Sequence, residues 1–89
     1  MNDIILAAYK KAKELNKDGD VYVFKDKHAS YYLIIVKGSS CKEKSKIINI
    51  IYDEVYKYTN EIDLIVFILD KDNFNLFMSQ NKENLEKVL

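Results

Sequence analysis

The residues best placed for chemistry fall together in Lys37-Gly38-Ser39-Ser40-Cys41-Lys42-Glu43-Lys44, with Lys46 just beyond. A strand runs into a small-residue loop, and a helix begins. Free backbone N–H groups at a helix start attract anions, and a glycine there lets the backbone approach closely. Lys37, Gly38, Ser39, Ser40, Lys42, Lys44 and Lys46 therefore form a candidate anion or nucleic-acid site. The stretch is not a Walker loop, because the second glycine-lysine pair is missing. The plainer alternative is a capping box between Ser40 and Glu43, with solvated lysines around it.

Other chemical readings fail on missing partners. Cys41 would need an arginine or a histidine beside it to act as a nucleophile. The chain has no arginine, and its one histidine, His28, belongs to the loop at the far end of the preceding strand. A small, half-buried cysteine is the expectation. Asp70 and Asp72 are spaced like the start of a calcium loop, but the later glycine and bidentate glutamate are absent. No strand alternates a carboxylate with a lysine as a metal-dependent nuclease requires. The expectation is a non-enzymatic protein with no catalytic residue, metal or cofactor.

All fourteen basic residues are lysine. Lysine lacks the planar fork with which arginine grips phosphates and guanine edges, so base-specific nucleic-acid reading is weakened. Lysine, isoleucine, asparagine and tyrosine all have AT-rich codons, which suggests a bacterial or phage accessory protein from an AT-rich genome. The net charge of zero conceals two patches. Residues 37–46 carry four lysines against Glu43, a local +3. Residues 53–72 carry Asp53, Glu54, Glu61, Asp63, Asp70 and Asp72 against Lys57 and Lys71, a local −4.

The 89 residues suit one domain, with 48% apolar and 31% charged residues. A single cysteine excludes an internal disulfide and fits a reducing cytoplasm. No apolar run approaches the ~18 residues of a membrane helix, and no signal peptide is evident.

The pattern predicts α-β-β-α-β-β-α. The first helix spans Asp3–Leu15, with Ile4, Ile5, Ala8, Ala12 and Leu15 on one face. Gly19 ends it with freedom for positive φ. Val21–Phe24 and Tyr31–Val36 form a hairpin, and a helix follows from Cys41 to about Tyr58. Ile62–Leu69 reads as a third strand, Asp70–Asn73 as a turn, and Phe74–Met78 as a fourth strand. Asn81 would cap a last short helix. The expected fold is α+β, a two-layer sandwich with a mainly antiparallel sheet of order 2-1-3-4 and helices on one face.

Such a sheet would leave an aromatic face open. Tyrosine buries area at interfaces while keeping a polar end wet. Tyr22, Phe24, Tyr31 and Tyr32 are therefore candidate protein contacts, with Asp53, Glu54, Glu61, Asp70 and Asp72 selecting a basic partner. The expected function is that of a small protein-binding accessory or inhibitor protein, a homodimer through the open face or an edge strand. The alternative is nucleic-acid binding by the lysine-rich start of the second helix.

Overall fold

The computed structural model describes residues 3–38, 40–59 and 61–89. Among them, three helices and a four-stranded mixed sheet alternate as α1 (Asp3–Leu15), β1 (Asp20–Lys25), β2 (Tyr31–Val36), α2 (Cys41–Tyr56), β3 (Leu64–Leu69), α3 (Lys71–Asn81) and β4 (Glu86–Lys87). The class is α+β, as expected.

The sheet order is β3-β2-β1-β4, which corrects the expected 2-1-3-4. β1 and β2 form the antiparallel hairpin, with Val23 opposite Leu33. β3 lies parallel to β2, with Val66 beside Leu33, and not antiparallel to β1. The reason is local. A helix crossover returns the chain in its original direction, and β2, apolar on both faces, offers the most burial to a neighbour of the same kind. The far side of β1 is taken by β4, with Phe24 opposite Lys87.

One face carries Val21, Val23, Leu33, Ile35, Leu64, Val66 and Ile68. They form the core with Ile5, Ala8 and Ala12 of α1 and with Ile47, Ile51 and Val55 of α2. Each fully buried isoleucine or leucine there is worth ~1.5–3 kcal/mol relative to exposure. Lys11 reaches Glu54 at 3.6 Å and ties the two helices.

The opposite face carries Tyr22, Phe24, Tyr32, Ile34, Ile65 and Phe67. It is not open, and helices do not lie on one face only, because α3 crosses it. Phe74 of α3 stacks on Tyr22 with ring centroids 5.1 Å apart, and Phe77 meets Phe67 at 5.3 Å. Phe24 and Ile34 are buried beneath.

The expected fourth strand, Phe74–Met78, is thus the middle of α3. Phe74, Phe77, Met78 and Asn81 are the half-buried positions, a helical spacing, while Leu76 is 55% exposed. The expected Asp70 turn is the helix start: Asp70 is the N-cap, and its carboxylate accepts the Asn73 N–H at 2.8 Å. Asn81 closes this helix and does not open another; its side-chain amide donates to the Phe77 carbonyl at 2.8 Å. The segment expected to be a last helix contains β4.

Gly19 does not use positive φ. It is required for space, since a Cβ there would meet the Asn16 side chain at 2.5 Å. That amide donates to the Val36 carbonyl at 3.2 Å, joining the end of α1 to the end of β2.

Because Asp70 caps a helix, Asp70→Ala is expected to cost about 1 kcal/mol in urea unfolding. A near-neutral result would return Asp70 to an ordinary turn.

Candidate functional site

The lysine-rich start of α2 is built as a capped helix. Ser40 Oγ accepts the Glu43 N–H at 3.2 Å, and the Lys44 N–H bonds the Ser40 carbonyl at 2.9 Å. Lys37 Nζ lies 2.7 Å from a Glu43 carboxylate oxygen, so one of the four lysines is already paired. Lys42 and Lys46 are exposed and Lys44 is half-buried. Gly38 has open space where a side chain would stand and a negative φ, so close approach of backbone is not what selects it. Ser39 lies outside the described residues. Cys41 is exposed at the first position of α2, not half-buried as expected.

The four aromatic candidates are divided by the sheet. Tyr31 faces the α1–α2 core. Tyr22, Phe24 and Tyr32 share the α3 face, where Tyr22 is held between Phe74 and the Lys87 ammonium, 5.3 Å from its ring centroid. Phe24 is only 5% exposed. These rings are largely occupied in packing α3 and β4.

The acids fall into two sets. Glu54 is engaged by Lys11 at 3.6 Å and Lys57 at 3.5 Å, while Asp53 is exposed on α2. Glu61 and Asp63 precede β3, and Asp70 and Asp72 follow it; all four are exposed. The topology therefore places an acidic pair at each end of β3.

β3 itself is the outermost strand of the sheet on its side. The Tyr31 N–H bonds the Asp63 carbonyl at 2.8 Å, and the Lys37 N–H bonds the Leu69 carbonyl at 2.8 Å. In a parallel ladder anchored this way, residues 63, 65, 67 and 69 direct their backbone groups at β2. Leu64, Val66 and Ile68 direct theirs outward. Tyr52 of α2 reaches this edge, and its hydroxyl donates to the Leu64 carbonyl at 2.8 Å. Burial pushes the Tyr52 phenol upward in pKa, and the Val66 N–H facing the same oxygen opposes that shift. A side chain thus stands where the first bonds of a further strand would form. Beyond it the Val66 carbonyl and both Ile68 groups face away from the sheet. Tyr56 stacks on Tyr52 at 5.9 Å and is 54% exposed; Ile65, on the other side of the edge, is 44% exposed.

The hairpin loop holds a network that the sequence reading overlooked. One Asp26 carboxylate oxygen accepts the His28 N–H at 2.8 Å and the Ser30 N–H at 3.0 Å; the other accepts the Tyr32 hydroxyl at 2.9 Å. An aspartate followed four residues later by serine, inside a polar hairpin loop, was the available signal. The loop closes with Ala29 at φ +63°, a left-handed conformation unusual for a residue with a Cβ. The Ser30 N–H above all, then the Tyr32 hydroxyl and the His28 N–H, hold the Asp26 carboxyl below its usual range. The same contact with Asp26 raises the Tyr32 phenol. Beside the loop, a cleft of about 230 Å³ opens toward Phe77, Asn81 and Asn84. That is below the ~300–1,000 Å³ of usual ligand pockets. Its one carboxylate is already committed to the three donors of the loop.

Among the described residues, no group of histidine, cysteine, aspartate and glutamate is arranged to hold a metal ion, and no helix is long and apolar enough to cross a membrane. No protein-family model, curated protein or solved structure matches the chain.

Two consequences can be measured. Asp26 has a lowered folded pKa, so its contribution to stability is present above the ordinary value of 3.8 and is lost as pH falls through the lowered value. Asp26→Asn should therefore melt below the parent chain at neutral pH, with the gap closing below about pH 3.8. A gap independent of pH would remove the carboxylate's role. Tyr52→Phe should cost about 1 kcal/mol and speed hydrogen exchange of the Val66 amide, because the edge loses its cover. Unchanged exchange at Val66 would show that Tyr52 shields nothing there.

Proposed function

We propose that this chain is a small, non-enzymatic protein-binding module, of accessory or inhibitor type, that receives an extended segment of a partner along β3. The observation that carries this reading is the open edge. Six apolar residues, Leu64–Leu69, form an outer strand whose outward N–H and C=O groups, among the described residues, meet one tyrosine hydroxyl and no further strand. Such a row is a template for strand addition, in which main-chain bonds give affinity and alternate side chains give selectivity. Exposed Tyr56 and Ile65 flank the edge on its two sides. The aromatic hairpin residues support this reading indirectly, by fixing α3 and β4 and so leaving β3 as the free side.

The test is selection of extended peptides against the purified chain, followed by hydrogen exchange. Leu64, Val66 and Ile68 amides are expected to gain protection on binding. Ile65→Lys, a change at an exposed edge side chain, is expected to weaken selected peptides by ~10-fold or more while leaving the melting temperature near that of the parent. Binding insensitive to this change, with protection elsewhere, would overturn the reading. Retardation of single-stranded nucleic acid that is lost in Lys42→Ala and Lys46→Ala would replace it with the lysine-rich start of α2.

A further inference from the structure

The acidic pairs at the two ends of β3 carry the proposed binding site one step further. Glu61 and Asp63 stand at its start, Asp70 and Asp72 at its finish, all exposed. Lys71 is the one cation interleaved with them in sequence. Thr59 fixes the chain before the first pair: its hydroxyl accepts the Glu61 N–H at 3.0 Å and donates to the Glu61 carbonyl at 3.2 Å. Asp70 is fixed by its cap to Asn73. The two pairs are separated by one strand length, about 20 Å for six residues.

We infer that the occupant of the β3 edge is an extended segment of another protein with an apolar centre and a lysine or arginine at each end, spaced by that length. This rests on the protein-binding reading above and names the chemistry of its partner. Charge complementarity is the argument. A strand laid along β3 in either direction brings its two ends beside acids, so basic ends are attracted whichever way it runs. A second copy of this chain meets the opposite condition. Antiparallel pairing of β3 with its copy, centred on Val66, would gather Glu61 and Asp63 of one chain beside Asp70 and Asp72 of the other at both ends. Four carboxylates gather at each end against Lys71, since the nearby Lys37 is already paired with Glu43, and their repulsion opposes that arrangement. The backbone edge is permissive, and the acids choose among extended segments.

Tyr52 takes a defined part in this scheme. Its hydroxyl occupies the Leu64 carbonyl, so an incoming strand must displace it to complete its ladder. The Val66 carbonyl and both Ile68 groups are available before that displacement, while the Val66 N–H faces the same hydroxyl.

The experiment uses the full chain and two synthetic peptides of roughly ten residues, each with alternating valine and threonine at the centre. One peptide has lysine at both ends and the other has glutamate. The lysine peptide is expected to bind at least ~10-fold more tightly at low salt, and the difference to shrink as salt rises. Binding should protect the Val66 and Ile68 amides from exchange, Tyr52→Phe should tighten it, and the pair Glu61→Lys with Asp63→Lys should reduce or invert the preference. Equal binding of both peptides with protection at β3 would overturn the charge inference and leave the protein-binding reading standing. No binding by either peptide, with β3 unprotected, would overturn both. Concentration-dependent dimerisation that protects β3 in the absence of peptide would overturn the inference in favour of a second copy.

Discussion

Three consecutive residues of β2, Leu33, Ile34 and Ile35, have no solvent exposure. Successive strand residues point to opposite faces, so a strand with no exposed position needs cover on both. That requirement organises the molecule. α1 and α2 cover Leu33 and Ile35, and a third element must cover Ile34. α3 does so, and the aromatic rings of Tyr22, Tyr32 and Phe67 fill the space between sheet and helix with Phe74 and Phe77. The same requirement explains why β3 stands beside β2. A buried central strand needs ladder partners on both edges, and a strand returned by a helix crossover supplies one with apolar side chains on both faces.

Much of the local structure was legible in the sequence. The span Asp3–Leu15 and the strand Tyr31–Val36 are as the periodicity predicts, and α2 stops two residues short of Tyr58. The Ser40–Glu43 cap was also visible, because cap chemistry depends only on residues three apart. Phe74–Met78 is helical where a strand is expected, for a physical reason. Phe74, Leu76 and Met78 fit a period of two, while Phe74, Phe77 and Met78 fit a period of 3.6, and five residues do not separate the two. The deciding feature lay just upstream, in the spacing of Asp70 and Asn73. Aspartate there suits turn chemistry and helix-cap chemistry alike.

The site was less legible than the fold because it depends on neighbours distant in the chain. Tyr52 was visible as a flank residue of α2, yet its role exists only because β3 is an edge. The acids around β3 were visible as a charge run, but their placement at the two ends of an outer strand follows from the sheet order. The aromatic hairpin shows the reverse. Its rings suggested an open face so long as the fourth element was a strand, and became packing once that element was a helix. Because Phe74–Met78 is helical and covers the aromatic face, the candidate interface is a sheet edge and not a sheet face.

An apolar edge strand is a hazard as well as an opportunity, and the two demands meet at β3. Proteins blunt such edges with charge or by covering them, since an unpaired edge is a template for pairing with another chain. Here both devices are present but neither is complete. Tyr52 covers the Leu64 end and leaves the Ile68 end open. The acids repel a second acidic end but attract a basic one, so their effect on association depends on the sign of the approaching segment. A lysine pair at the same positions would have blunted the edge equally well against self-pairing and selected the opposite class of partner. On the proposed reading, protection and selectivity are one electrostatic property of this strand. The lysine-rich segment begins beside the finishing pair, where the Lys37 N–H bonds the Leu69 carbonyl, and the Lys37 ammonium there is already paired with Glu43.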